Sequence, residues 1–87
     1  GGKTRTVTDP DTGMPERLTE EEAARLLELR GALLRGIIGA ALERQDYTGT
    51  APADRAPALK RMTSAATSAG LKILRVERLT GRRANLP

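Results

Sequence analysis

The segment LTEEEAARLLELRGALLRGIIGAALERQ, residues 18–45, constrains the fold most, because it combines a helix start signal with helical periodicity over many turns. Thr19 and Glu22 have the spacing of a capping box. Three consecutive glutamates follow Thr19, where the positive end of the helix dipole stabilises negative charge. We therefore predict a long helix that begins near Thr19 and runs to about Gln45.

The apolar side of this helix is broad. At about 100° per residue, two adjacent apolar stripes cover more than half of the circumference, which exceeds the core-facing stripe of a typical surface helix. The rest of an 87-residue chain has little with which to cover such an arc. We therefore expect a dimer interface formed by Leu26, Leu29, Leu33, Leu34, Ile37 and Ile38. The alternative is a core helix that is surrounded by its own domain.

The chain contains no cysteine, no histidine and one aromatic residue, Tyr47. These absences argue against disulfides, thiolate or histidine catalysis and the usual zinc sites. A core of Leu, Ile, Val, Met and Ala is marginal in a domain of this size, and the composition leaves oligomerisation open as a stabilising device. We therefore expect one small α+β domain, residues 18–87, that forms a homodimer and follows a flexible or short-strand arm, residues 1–17.

No apolar run approaches the roughly 20 residues that span a bilayer, and the N-terminal residues are polar. We expect a cytoplasmic protein with no membrane partner. In the N-terminal arm, KTRTVTD (residues 3–9) alternates like a short edge strand, and DPDTG (residues 9–13) has the composition of a turn.

The C-terminal part is predicted to contain a second, short helix over about residues 55–69, ended by Gly70 as a left-handed cap. LKILRVERL, residues 71–79, is expected to be a strand. A tight turn at Thr80 and Gly81 would lead into a short return strand and complete a β-hairpin, with Gly81 at positive φ. Both faces of the predicted strand are mixed, so the pattern leaves open which arginines point together.

Charge is divided unevenly along the chain. Seven Lys/Arg and nine Asp/Glu give −2 over residues 1–46, and eight Lys/Arg and two Asp/Glu give +6 over residues 47–87. Such a separation is typical of chains with nucleic-acid or other anionic partners, although a net charge also keeps a small protein soluble. The residues that we expect to contact nucleic acid are Lys60, Arg61, Ser64, Thr67, Ser68, Lys72, Arg75, Arg78, Arg82 and Arg83.

The predicted helix and basic hairpin, residues 55–87, are loosely similar to the recognition helix and wing of winged-helix domains. No short helix is predicted before Asp54 to complete a helix-turn-helix, and no diagnostic motif is present, so the pattern assigns the chain to no family. The scarcity of aromatic residues disfavours single-stranded targets, which are held by base stacking. Duplex DNA, or A-form RNA that is held by its backbone, fits better.

No residue pattern indicates catalysis, a metal or a cofactor. Ser64 follows Lys60 by four residues, but this spacing is common by chance. DPDTG lacks the length and the terminal glutamate of an EF-hand loop. The glycines of the first helix lack the Lys-Ser/Thr of a P-loop. We therefore expect no enzyme.

The sequence thus leads to two functional hypotheses. The first is a small homodimeric nucleic-acid-binding protein of the transcription-regulator or architectural type. Its long helix would join the subunits, and its basic C-terminal half would contact phosphates. The second is a protein-interaction module that docks onto a larger partner through the apolar face of the long helix.

Overall fold

The computed structural model describes the backbone of residues 3–43 and 52–86 and the side chains of residues 3–36 and 57–86. Within these ranges the order of elements is β1 (Thr4–Thr8), β2 (Pro15–Thr19), α1 (Glu20–Glu43) and α2 (Pro52–Thr80). The strands form a two-stranded antiparallel sheet, and the two helices pack against each other. The predicted α+β class is confirmed, but the sheet lies at the N-terminus.

The β-hairpin joins β1 and β2 with Thr4 opposite Thr19 and Thr8 opposite Pro15. The turn is closed by a hydrogen bond from the Gly13 N–H to the Asp9 carbonyl at 2.7 Å, and Gly13 has a φ of 73°. The strand and the turn predicted in the arm are therefore confirmed. The second strand, β2, was not predicted, because its sequence PERLT begins with a proline and contains two charged residues. Proline is accommodated here because it is the first residue of the strand.

Helix α1 starts as the sequence indicated. The Thr19 N–H donates to Glu22 Oε1 at 2.9 Å, and the Glu22 N–H donates to Thr19 Oγ1 at 3.1 Å. These reciprocal bonds are the predicted capping box, and they satisfy two amides that have no partner inside the helix. The long first helix is confirmed over Glu20–Glu43.

The core lies where α1, α2 and the hairpin meet. Its buried members are Leu18, Leu26, Leu29, Leu71 and Leu74, with Val7, Ile73 and Leu86 packed around them. Hydrophobic burial of a leucine is worth roughly 1.5–3 kcal/mol, so these five side chains account for much of the stability. The predicted interface residues Leu26 and Leu29 are therefore covered by the chain itself.

The predicted C-terminal β-hairpin is wrong, because α2 continues to Thr80. Ala66, Gly70, Leu71 and Leu74 are all buried, and their spacing of three and four residues is that of one helix face. Residues 71–79 also contain β-branched residues and partial alternation, which suggested a strand. Packing against the long apolar side of α1 favours the helix, so residues 71–80 do not form the wing that the predicted hairpin implied.

Two glycines mark this difference. Gly70 lies inside α2 and does not end it; its Cα passes so close to α1 that an added Cβ would lie 2.8 Å from Leu26 Cδ1. Gly81 does adopt the predicted positive φ, at 67°. It does so as the cap that ends α2, where its N–H donates to the Glu77 carbonyl at 2.8 Å.

Candidate nucleic-acid interface

Two arginines predicted to contact nucleic acid instead connect α2 with the N-terminal half of the chain. Arg75 Nη2 lies 2.8 Å from Glu16 Oε2 and 3.2 Å from Asp9 Oδ2, and Arg78 Nη2 lies 2.6 Å from Glu22 Oε2. The Thr19 N–H contributes most to lowering the pKa of Glu22; burial opposes this effect, and Arg78 reinforces it. Arg75 and Arg78 are therefore engaged within the chain.

Asp9 is the centre of the contact between the turn and α2. Its side chain is 1% exposed and accepts hydrogen bonds from the Asp11 N–H and the Ser68 hydroxyl, both at 2.9 Å. The Asp11 N–H contributes most to lowering the pKa of Asp9, burial opposes it, and Ser68 and Arg75 reinforce it. Ser68 is buried in this contact, so its hydroxyl is not available to a base edge.

A second network fixes the segment that follows α2. Arg25 Nη2 donates to Glu77 Oε2 at 2.7 Å and to the Ala84 carbonyl at 3.3 Å, and the Ala84 N–H donates to Glu77 Oε2 at 2.7 Å. Arg25 contributes most to lowering the pKa of Glu77, against the opposing effect of burial. Arg83 lies 3.7 Å from Glu28 and is 71% exposed, so this pair is loose.

The remaining charges are mostly positive. Among the described side chains, three acidic residues form no intramolecular ion pair, namely Asp11, Glu20 and Glu21. The basic residues in the same condition are Lys3, Arg5, Arg17, Arg30, Arg35, Lys60, Arg61, Lys72 and Arg82. The unpaired acids lie in the turn and at the start of α1, so the hairpin end of the molecule is the less positive end.

Four of these unpaired cations belong to the predicted interface. Three of them lie on α2, and the fourth lies just after its C-terminal end. Arg61 and Lys72 are exposed and lie 11 residues apart, which places them on nearly the same line of the helix, about 16 Å apart. Lys60 is adjacent to Arg61 in the sequence, and Arg82 follows the cap at Gly81. These four residues, Lys60, Arg61, Lys72 and Arg82, are called the α2 cations below.

A shallow groove lies between the hairpin turn and α2, lined by Pro10, Asp11, Ser64, Ala65, Ser68, Ala69 and Lys72. Ser64 is half-buried at this groove. Thr67, also half-buried, donates its hydroxyl to the Thr63 carbonyl at 2.9 Å, a bond that occupies its proton. Two of the three polar residues predicted to contact nucleic acid, Thr67 and Ser68, thus use their hydroxyl protons within the chain, which leaves charge as the main property of this surface.

Apolar side chains are exposed on both helices. Leu27 on α1 is 65% exposed, and Val76 and Leu79 on α2 are 55% and 87% exposed. Of the predicted interface residues, Leu33 and Leu34 are half-buried. The side chains of the other two, Ile37 and Ile38, lie outside the described residues. Leu27 lies in one of the two apolar stripes that the sequence indicates, but it is not among the predicted interface residues.

Among the side chains described, those of residues 3–36 and 57–86, no group of three or more acidic residues could hold a metal ion. In the described part of the chain, neither helix has the length and apolar character needed to cross a membrane. No family model, no curated protein and no solved structure matches this chain.

Proposed function

We propose that this chain is a small nucleic-acid-binding protein of the transcription-regulator or architectural type, which holds duplex DNA through the α2 cations and acts as a homodimer in the cytoplasm. The observation that carries the proposal is the surplus of cations that remains after the intramolecular pairs are formed. A phosphate backbone is the anionic surface that such a surplus fits, because each contact releases condensed counterions.

The geometry favours contact with phosphates over base recognition. Arg61 and Lys72 are about 16 Å apart along one side of α2, so each can reach a different phosphate. The Ser68 hydroxyl donates its hydrogen bond to Asp9, and the Thr67 hydroxyl donates to a backbone carbonyl of α2. We therefore expect weak preference between sequences, since phosphate contacts position a protein without reading bases.

The salt dependence of binding to a fluorescently labelled duplex tests the proposal. With four contacts per chain and two chains, the slope of log K against log salt should be roughly −7. Substituting Lys72→Gln removes one contact per chain and should reduce the magnitude of the slope by roughly 2. Arg61→Gln should have a similar effect, because Arg61 lies on the same side of α2.

Matched controls lie on the hairpin. Lys3 and Arg5 are also exposed and unpaired within the described chain, but Glu20 and Glu21 lie beside Lys3, and Glu20 beside Arg5. Lys3→Gln and Arg5→Gln change the net charge by the same amount and should leave the slope nearly unchanged. If Lys3→Gln and Lys72→Gln weaken binding equally, net charge alone acts and the α2 surface is refuted.

Asp11 provides a test in the opposite direction. Asp11 lines the groove that also contains Lys72, and the two residues form no ion pair. Asp11→Asn keeps a residue suited to the turn and removes a repulsive charge, so it should tighten DNA binding. Absence of wild-type binding even at low salt would contradict the proposed function as a whole.

The second candidate is an interaction module that docks onto a larger protein through α1. The 65% exposure of Leu27 favours it, because this large apolar side chain lies on the same side of α1 as the half-buried Leu34, two helix turns away. This function predicts that the chain is not retained on duplex DNA at low salt and that it remains monomeric, with Leu27 free for the partner. Both properties are measured with the purified chain.

A further inference from the structure

Helix α1 has a second apolar line on the side that faces away from the core. At about 100° per residue, Ala24, Leu27, Gly31 and Leu34 fall within one narrow arc, whereas Leu26 and Leu29 point to the core. Ala24 and Leu27 are exposed, and Gly31 and Leu34 are half-buried. We name these four residues the α1 seam. Their spacing of three and four residues is that of a helix packed against another helix.

The α1 seam leaves room for a close neighbour. An added Cβ at Gly31 would meet no atom within 4 Å, so open space lies over the middle of the seam. Ala24 adds a second small side chain one heptad earlier. Small residues let two helix backbones approach closely, and a leucine on either side can then fill the hole between them.

Two charged residues beside the α1 seam indicate which partner fits it. Glu28 and Arg35 lie on the same flank of the seam and are seven residues apart, which is one heptad. Glu28 is 56% exposed; Arg25 at 3.1 Å and Arg83 at 3.7 Å both lie against its Oε2, which leaves Oε1 without a partner among the described residues. Arg35 is exposed without an ion pair to any described residue. In an antiparallel pair of α1 helices centred between Gly31 and Ala32, Glu28 of each copy faces Arg35 of the other.

A parallel pair would place Glu28 beside the apolar Ala23 of the other copy, and it would bring Arg35 beside Arg30, a second cation. A partner of one charge sign would satisfy only one of the two residues. A second copy of this chain in antiparallel orientation satisfies both of them, and it does so twice.

We propose that two copies of this chain associate through the α1 seam, with their α1 helices antiparallel and Glu28 of each copy paired with Arg35 of the other. This interface specifies the dimer that the proposed function includes, and it leaves the α2 cations of both copies free. Leu26 and Leu29, which were predicted to form the interface, lie in the core, and Ala24, Leu27 and Gly31 take their place in the proposed interface.

Analytical ultracentrifugation tests the assembly without nucleic acid. The wild type should sediment as twice the 9.3 kDa chain, with a concentration-dependent dissociation. Leu27→Asp should give a folded monomer. Leu79→Asp is the matched control, because Leu79 is even more exposed but lies on α2, and this variant should remain dimeric. A wild-type monomer, or loss of the dimer in Leu79→Asp alone, would overturn the proposal.

A charge exchange tests the pairing. Glu28→Arg and Arg35→Glu should each weaken the dimer at least tenfold, because each brings like charges together twice. The double variant exchanges the two partners and should recover most of the wild-type affinity. Failure of the double variant to recover, with helix content unchanged by circular dichroism, would refute the Glu28–Arg35 pairing.

Cysteine cross-linking tests the orientation, and the chain has no cysteine of its own. Gly31→Cys would place two thiols near the two-fold axis, so a short bis-maleimide should link the copies. In the antiparallel arrangement the two copies of Ala24→Cys are about 22 Å apart along the helices, too far for the same reagent. Efficient linking of Ala24→Cys would show a parallel pair and contradict the proposal.

The two proposals fail in different ways. Leu27→Asp monomers should still bind duplex DNA, with about half the salt slope of the wild type. If the wild type dimerises but binds no DNA, the nucleic-acid function is wrong and the seam stands. If it binds DNA as a monomer at every concentration, the seam and the homodimer are wrong, and the binding of DNA by the α2 cations stands.

Discussion

The substitution Gly70→Ala tests the contact between the two helices, on which the placement of every α2 side chain depends. Gly70 lies within α2 and faces α1. The added Cβ would lie 2.8 Å from Leu26 Cδ1 and 3.7 Å from Leu29 Cβ. The first distance is too short for two carbon atoms, so either Leu26 or the helix must move.

Two effects of opposite sign determine the result. Alanine in a helix interior is favoured over glycine by about 1 kcal/mol. Forcing an extra methyl group into a packed core costs about 1–3 kcal/mol. Leu26 is only 4% exposed and is surrounded by other core residues, so its methyl group has little space into which to turn. We therefore expect net destabilisation by about 1 kcal/mol, a fall in melting temperature of about 4–8 °C.

Gly36→Ala is the matched control, because Gly36 is in α1, is exposed and has no atom within 4 Å of an added Cβ. It should gain the helix preference without a steric cost and raise stability by up to about 1 kcal/mol. Urea unfolding at one protein concentration measures both variants, since a dimer makes stability concentration-dependent. If Gly70→Ala stabilises the chain as much as Gly36→Ala, the close approach of α1 and α2 at Gly70 is incorrect.

Two further predictions concern the polar contacts and the end of α2. The carboxyl pKa values of Asp9, Glu22 and Glu77 are lowered in the folded chain, so the stability that they contribute is complete above their unfolded values near 4 and is lost as pH falls through the lower folded values. The urea midpoint should therefore be flat from pH 7 to 5 and fall below pH 4, and Glu77→Gln should be less stable at pH 7 with a shallower acid decline. Gly81→Ala should cost about 1–2 kcal/mol in urea unfolding because Gly81 has a φ of 67°, and an unchanged midpoint would contradict the cap.

The elements that the sequence predicted correctly depend on neighbouring residues. The capping box at Thr19 and Glu22 involves residues three apart, and the turn at Gly13 requires a conformation that glycine adopts easily. The positive φ of Gly81 was also predicted, although for a hairpin turn and not for a helix cap. In each case the local residues alone determine the backbone conformation.

The C-terminal segment could not be assigned in this way, because its local preferences are divided. Residues 71–79 include Ile73 and Val76, which favour strands, and their apolar pattern is compatible with either period. Contact with α1, more than 40 positions earlier in the sequence, decides in favour of the helix. The same contact explains the role of Gly70. Glycine often terminates a helix, but at this position it permits close packing of the two helices.

The division of charge along the sequence had two physical meanings, and the sequence could not separate them. It indicated an anionic partner, and it was also compatible with attraction between the two halves of the chain. The structure shows the second effect for Arg75 and Arg78, which pair with Asp9, Glu16 and Glu22. No local signal identifies these pairs, because their members are more than 50 residues apart.

Salt therefore acts on two sets of charges in this molecule, and the two must be separated in any binding measurement. The side chains of Arg75 and Arg78 are 42% and 48% exposed, so added salt screens their pairs, whereas Arg25 and Glu77 are 13% and 10% exposed and are screened less. Loosening of the hairpin at high salt would release cations, and extra cations strengthen binding to phosphates. Arginines that salt releases from the intramolecular pairs thus oppose the loss of affinity that counterion release produces. A slope steeper for Arg78→Gln than for the wild type would reveal this opposition, because Arg78→Gln removes one of the arginines that salt can release.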